Sequence, residues 1–210
     1  MSDYETEFPH LNPDDPTAEA WSTPKPNLQG ERPPGLIDLQ RYPISVQAGG
    51  IATFLQRPVA LTVEDLKAAE VDVAIVGASL DFSTGMRGAA YGPRALRSHD
   101  VYLPTVETGL PHTHVMVDPT SELVIADYGD APVDPESAYR SIEPIRAMVR
   151  EVAETGTIPF IIGGDHSLMY PDVAGVADVY GKGKVGVIHF DAPYDAGSMG
   201  LGHNLTHGTP

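Results

Sequence analysis

The sequence predicts an α/β protein, a three-layer fold with a parallel sheet flanked by helices. Three observations carry this expectation. From about residue 61 onward, strand-like apolar runs alternate with helical stretches. Those runs are continuously apolar and not alternating, as in strands buried on both faces of a parallel sheet. Each run also ends in a polar cluster, where sheets of this class place their ligands.

The elements follow in order. "LTVEDLKAAE" opens a helix, with Thr62 as cap and Asp65 three positions later. "VDVAIVGASL" is a β-branched apolar run, read as a strand that ends in a loop after Gly77. "YGPRALRSH" reads as a helix with Pro93 in its first turn. "ELVIADYGD" is a second strand with an acidic end. "DPESAYRSIEPIRAMVREVAETG" is a helix, with Asp134 as cap, Pro135 at its first position, Gly156 as stop and a kink expected at Pro144. "TIPFIIGGDHS" is a third strand, "MYPDVAGVADVYG" a helix, and "KVGVIHFDA" a fourth strand.

Residues 1–60 have a different composition. "NPDDPTAEAWSTPKPNLQGERPPG" is rich in proline and acid and has no sustained period. It reads either as a disordered tail or as an ordered arm that wraps a neighbouring subunit. Trp21 and "YPISVQAGGIATFLQRP" supply apolar anchors that favour the arm. The expected organisation is an acidic arm over 1–60 and an incomplete α/β domain over 61–210.

Composition excludes several function classes. A formal net charge of -16 opposes binding to a phosphate backbone, which needs clustered Lys and Arg. It suits a small cationic substrate better. The absence of cysteine rules out disulfide and thiolate chemistry. The opening "MSDYETEFPHLNPDDP" lacks the basic and apolar regions of a signal peptide. No apolar run approaches the roughly 20 residues that span a bilayer. These features predict no nucleic-acid or membrane partner and a cytoplasmic location.

The polar residues at the strand ends are Asp81, Asp127 with Asp130, Asp165 with His166, and Asp191 with Asp195. In "GGDHS", Gly163 and Gly164 permit a tight turn that projects His166 from the rim. If strand geometry persists beyond Phe190, positions 191, 193 and 195 share one side. His166, Asp191 and Asp195 then form a set rich in oxygen that suits Mn²⁺, whereas more imidazole would suit Ni²⁺. The bland readings are a loop imidazole for His166, a turn cap for Asp191 and a solvated Asp195. In "GHNLTHGTP", His207 is either a proton relay to substrate or a plain loop histidine. Asp127 and Asp130 read as buried carboxylates bonding loop amides, and Arg94 and Arg97 as residues of helix packing and surface pairing.

"GASLDFSTGMRGAAYGPRALR", "DYGD", "GGDHS", "HFDAPYD" and "THGTP" occur in the order seen in the ureohydrolase superfamily of arginases and agmatinases. The sequence resembles that family over residues 45–210. The arm and "GGIATFLQRP" look most like the guanidine hydrolase and metformin hydrolase branch. The resemblance implies an arginase-like fold and a binuclear centre of Mn²⁺, or of Ni²⁺ in that branch, which hydrolyses a C–N bond of a guanidine-type substrate. By matching position, it implies metal-ligand roles for His166, Asp191 and Asp195 and a proton-shuttling or substrate-contacting role for His207.

The sequence departs from the family pattern at two points. The family motif reads Asp-Ala-His-x-Asp, and Pro193 stands at the histidine position. Proline offers no donor atom, and His189 is set aside as a substitute because it is common before an intact motif. The family's later Asp-x-Asp pair is expected beyond Pro210, so the fold is read as truncated at its C-terminus. The resulting expectation is a site holding a single ion or none. The leading reading is a silent or weakly catalytic subunit that forms a homo- or hetero-oligomer with an intact ureohydrolase homologue, as in heteromeric metformin hydrolase. The alternatives are an active agmatinase- or guanidinase-like hydrolase with a remodelled site and a non-enzymatic assembly protein.

Overall fold

A computed structural model of the chain describes residues 12, 14–42, 50–82, 87–99, 114–192, 195 and 203–208. The first helix, α1 (Val63–Ala68), starts at Thr62, whose hydroxyl accepts the Asp65 amide while Asp65 accepts the Thr62 amide. This reciprocal pair satisfies two amides that a helix start leaves orphaned. Strand β1 (Val73–Ala78) follows, then α2 (Gly92–His99) and the short α3 (Pro119–Glu122). Strand β2 (Ile125–Asp130) leads to the long α4 (Ala138–Glu154), β3 (Ile158–Gly163) and α5 (Met169–Tyr180).

The strands form a parallel sheet in the order β2-β1-β3, flanked by helices. Central β1 is buried from Ala74 to Ala78. Its side chains join Leu66, Leu80, Ile145, Val149 and Val152 in one core. Helices α4 and α5 pack closely through Gly175, where a Cβ would lie 2.8 Å from both the Arg146 carbonyl oxygen and the Val149 side chain. Registration of Ala78 with Gly163 brings the ends of β1 and β3 to the same level. Among the described residues, no helix is long and apolar enough to cross a membrane.

Several local expectations are corrected. Helix α4 is capped by Ser137, not Asp134. Asp134 instead closes the preceding turn, accepting the Glu136 amide and pairing with Arg140. β3 is not buried on both faces, for Ile158 is 61% and Phe160 55% exposed. The expected fourth strand over 184–192 is not part of the sheet. Ile188 and Phe190 there are 85% and 93% exposed. An apolar run becomes a strand only where another backbone offers it a ladder, and none does so among the described residues.

The described part of residues 14–60 lies against the rest of its own chain. Ile37 bridges Val59, and Val59 bridges Asp127. The Trp21 ring sits 5.2 Å from the Arg140 guanidinium, which also donates to the Ala18 carbonyl. Arg32 makes hydrogen bonds of 2.9 and 2.7 Å to the two oxygens of Asp65, a fully buried carboxylate that also accepts the Gly35 and Leu61 amides.

Burial alone would raise the Asp65 pKa, but the Arg32 hydrogen bonds and these amides outweigh it and hold the carboxyl well below its usual range. Asp65 therefore contributes stability above its unfolded pKa of about 4, and that contribution is lost as pH falls below it. Arg32→Met should lower unfolding free energy by about 1–3 kcal/mol at pH 7, because it strands a buried carboxylate. Urea titrations should show the gap between parent and variant shrinking as pH falls below about 4. A gap unchanged by acid would rule out this account.

Candidate metal centre

The site is built where β3 meets the end of β1. Gly164 is required there, because a Cβ would fall 2.1 Å from the Leu80 carbonyl oxygen. The Gly164 amide donates to Ala78 and the Asp165 amide to Leu80, so the turn after β3 is bonded to the loop after β1. The Asp165 carboxylate reinforces this junction. One oxygen accepts the Ser167 amide and hydroxyl, and the other accepts the Phe82 amide. Asp165 thereby caps the single turn His166–Leu168 and directs both of its oxygens inward.

His166, the first residue of that turn, faces the acidic segment. Its Nδ1 lies 3.6 Å from Asp191 Oδ2 and 3.4 Å from Asp195 Oδ2. His189, on the same segment as Asp191, places Nε2 3.2 Å from Asp191 Oδ2. The His166 and His189 rings are 4.8 Å apart and inclined by 34°. One ligand atom each from His166, His189 and Asp191 lies within 4.8 Å of the others.

The sequence-predicted residues His166, Asp191 and Asp195 thus come together. His207 lies on a turn whose next residue, Gly208, would place a Cβ 3.9 Å from Asp195 Oδ1. Pro193 and Tyr194 lie outside the described residues. His189 had been set aside, yet it stands within the cluster. The period-2 rule that grouped Asp191 with Asp195 also places His189 on their side.

This donor set fits a divalent ion. Ligand atoms at about 2.1 Å from a common ion sit about 3.0–3.4 Å apart in octahedral or tetrahedral geometry. The nitrogen–oxygen separations of 3.2–3.6 Å are close to that span. Asp127 and Asp130 behave differently. Arg97 donates to both, and Asp127 also accepts the Phe54 and Gly129 amides. Far from pairing at the surface as expected, the Arg97 side chain is 14% exposed and lies 3.9 Å over the Phe54 ring. These carboxylates are tied to one shared guanidinium.

Beside the cluster is a cavity of about 530 Å³, bordered by Asp165, His166, Asp172, Val187, His189 and Phe190. Its size falls in the usual range for small-molecule sites.

The chain is similar to several known proteins. Residues 71–210 match the model of the arginase family. The chain is 35% identical to the mitochondrial agmatinase of Gallus gallus over 164 residues, covering 77% of the chain and 44% of that relative. It is also 35% identical to the mitochondrial guanidino acid hydrolase of Homo sapiens, covering 77% of the chain and 43% of that protein. Among solved structures, a hypothetical agmatinase from Burkholderia thailandensis superposes with a TM-score of 0.68 at 28% identity, over 83% of this chain and 55% of that one. A formiminoglutamase from Trypanosoma cruzi, solved with Mn²⁺, superposes with a TM-score of 0.57 at 26% identity, over 70% of this chain and 50% of that one. The chain spans less than half the length of these two curated relatives.

Asp172 on α5 also faces the cavity. Its Oδ1 is buried without a hydrogen-bond partner among the described residues, and burial pushes its carboxyl up to about 7. Between about pH 4 and 7 the folded protein keeps this proton while the unfolded chain has lost it, so stability falls as pH rises through that window. Asp172→Asn should remove this dependence. Relative to the parent, its unfolding free energy from urea titrations should gain steadily from pH 4.5 to 7.5, by about 1–3 kcal/mol in all. A difference independent of pH would contradict the assignment.

Proposed function

The chain belongs to the arginase family, and from that premise we propose that it is a subunit of a metal-dependent hydrolase cleaving a C–N bond in guanidine- or biguanide-type small molecules. On its own the chain is weakly catalytic or silent, and it supports an intact homologous subunit. One observation carries the proposal. His166, Asp191 and Asp195 converge at the sheet's C-terminal rim, in a motif run where Pro193 offers no donor.

His166, Asp191 and Asp195 would hold one ion, Ni²⁺ or Mn²⁺. The ion would supply Lewis acidity and lower the pKa of water brought to it, so that a nucleophile forms near neutral pH. Asp165 keeps His166 at the rim through its bonds to Phe82 and Ser167. The carboxylates attract a cationic guanidinium, and the chain's net charge of -16 favours its approach. His207, on the turn beside Asp195, would pass a proton to the departing nitrogen. The relatives named above, an agmatinase and a guanidino acid hydrolase, support the guanidine class.

A second reading, an active agmatinase- or guanidinase-like hydrolase with a remodelled site, is favoured by the position of His189. The test purifies the chain alone and co-expressed with a full-length homologue, loaded with Mn²⁺ or Ni²⁺. Urea or ammonia release is followed from agmatine, guanidinobutyrate, guanidine and a biguanide. The lone chain should bind about one ion and turn over about 100-fold or more slowly than the co-expressed complex, since changes even outside the ligand shell cost about 10–100-fold. Comparable turnover by the lone chain with two tightly held ions would defeat the proposal.

A further inference from the structure

We propose that His189 is a metal ligand. With His166, Asp191 and Asp195 it makes a site of two nitrogens and two carboxylates that takes one ion and favours Ni²⁺ over Mn²⁺. This rests on the reading that the cluster binds a divalent ion.

The geometry supports a shared ion. Two imidazole nitrogens from separate segments converge on one carboxylate oxygen, with His189 Nε2 3.2 Å and His166 Nδ1 3.6 Å from Asp191 Oδ2. His166 is delivered by the turn after β3, whose position Asp165 holds. His189 and Asp191 are delivered together from one segment, two residues apart. The ligand atoms of His166, His189 and Asp191 lie within 4.8 Å of one another.

Charge explains why the site takes one ion. Two carboxylates neutralise one divalent cation, and two neutral imidazoles add donors without adding charge. A second ion would stand uncompensated in a partly buried site. Chemistry explains the metal preference. Imidazole suits Ni²⁺, while Mn²⁺ is well served by carboxylate and water, so a second nitrogen raises Ni²⁺ affinity more than Mn²⁺ affinity.

The test measures binding directly. The chain is stripped of metal and titrated with Ni²⁺ and with Mn²⁺ against a competing chelator. Bound ions are counted by mass spectrometry, and coordinated imidazoles by X-ray absorption. The variants are His189→Asn, His189→Ala, His166→Ala and His203→Ala, the last removing an exposed histidine outside the cluster. Thermal melts verify folding. The parent should hold about one Ni²⁺ through two imidazoles. His189→Asn should lose about 100-fold in Ni²⁺ affinity and only about 10-fold in Mn²⁺ affinity, with one imidazole remaining. Added free imidazole should restore Ni²⁺ binding to His189→Ala, and His203→Ala should match the parent. If His166→Ala loses the ion while His189→Asn keeps full Ni²⁺ affinity and both imidazoles, this proposal falls and the metal-site reading stands. If the folded parent binds neither ion, both fall.

Discussion

The position of the whole site depends on the carboxylate of Asp165. Parallel pairing stops β1 and β3 at the same level, but pairing alone does not orient the loops that leave them. Asp165 does so by taking the Phe82 amide with one oxygen and the Ser167 amide and hydroxyl with the other. The two loops are held together, and the next side chain, His166, points outward toward Asp191 and Asp195. The absence of a side chain at Gly164 lets the backbones approach closely enough for those bonds to form.

The acidic residues fall into two kinds, separated by what faces them. Asp127 and Asp130 meet the Arg97 guanidinium, and Asp65 meets Arg32. Asp127 and Asp130 share one fixed cation, and Asp127 and Asp65 also accept backbone amides, so each ties chain segments together. Asp65 binds the N-terminal arm to α1, and Asp127 joins β2 to Phe54 and α2. Asp191 and Asp195 meet imidazoles instead. An imidazole, unlike a guanidinium, is itself a metal ligand, so carboxylates and imidazoles together can hold a mobile cation. The same residue type is thus structural or available for binding according to whether an arginine reaches it.

The same contrast bears on Pro193. A proline within a ligand run removes one donor but not the negative charge on either side of it. Such a site loses capacity for a second ion sooner than it loses attraction for the first. His189 matters because it supplies nitrogen from a position that the proline does not touch.

Much of the fold was legible in the sequence. The β-branched runs became β1, β2 and β3, Thr62 and Asp65 formed their reciprocal cap, and Gly156 ended α4 with a φ of 85°. The grouping of His166 with Asp191 and Asp195 was legible too, because strand ends and period-2 spacing are local properties. What was misread depended on distant neighbours. Asp134 lost its capping role to Ser137 because Arg140 drew its carboxylate away. The run at 184–192 reads as a strand, yet no other described segment offers it a backbone ladder and it stays outside the sheet. His189 looked incidental until the turn after β3 brought His166 alongside it. Local pattern alone therefore determined which segments form elements and which side chains share a face. The tertiary structure decided which charges are paired and which donors meet, because those depend on contacts between residues far apart in the chain.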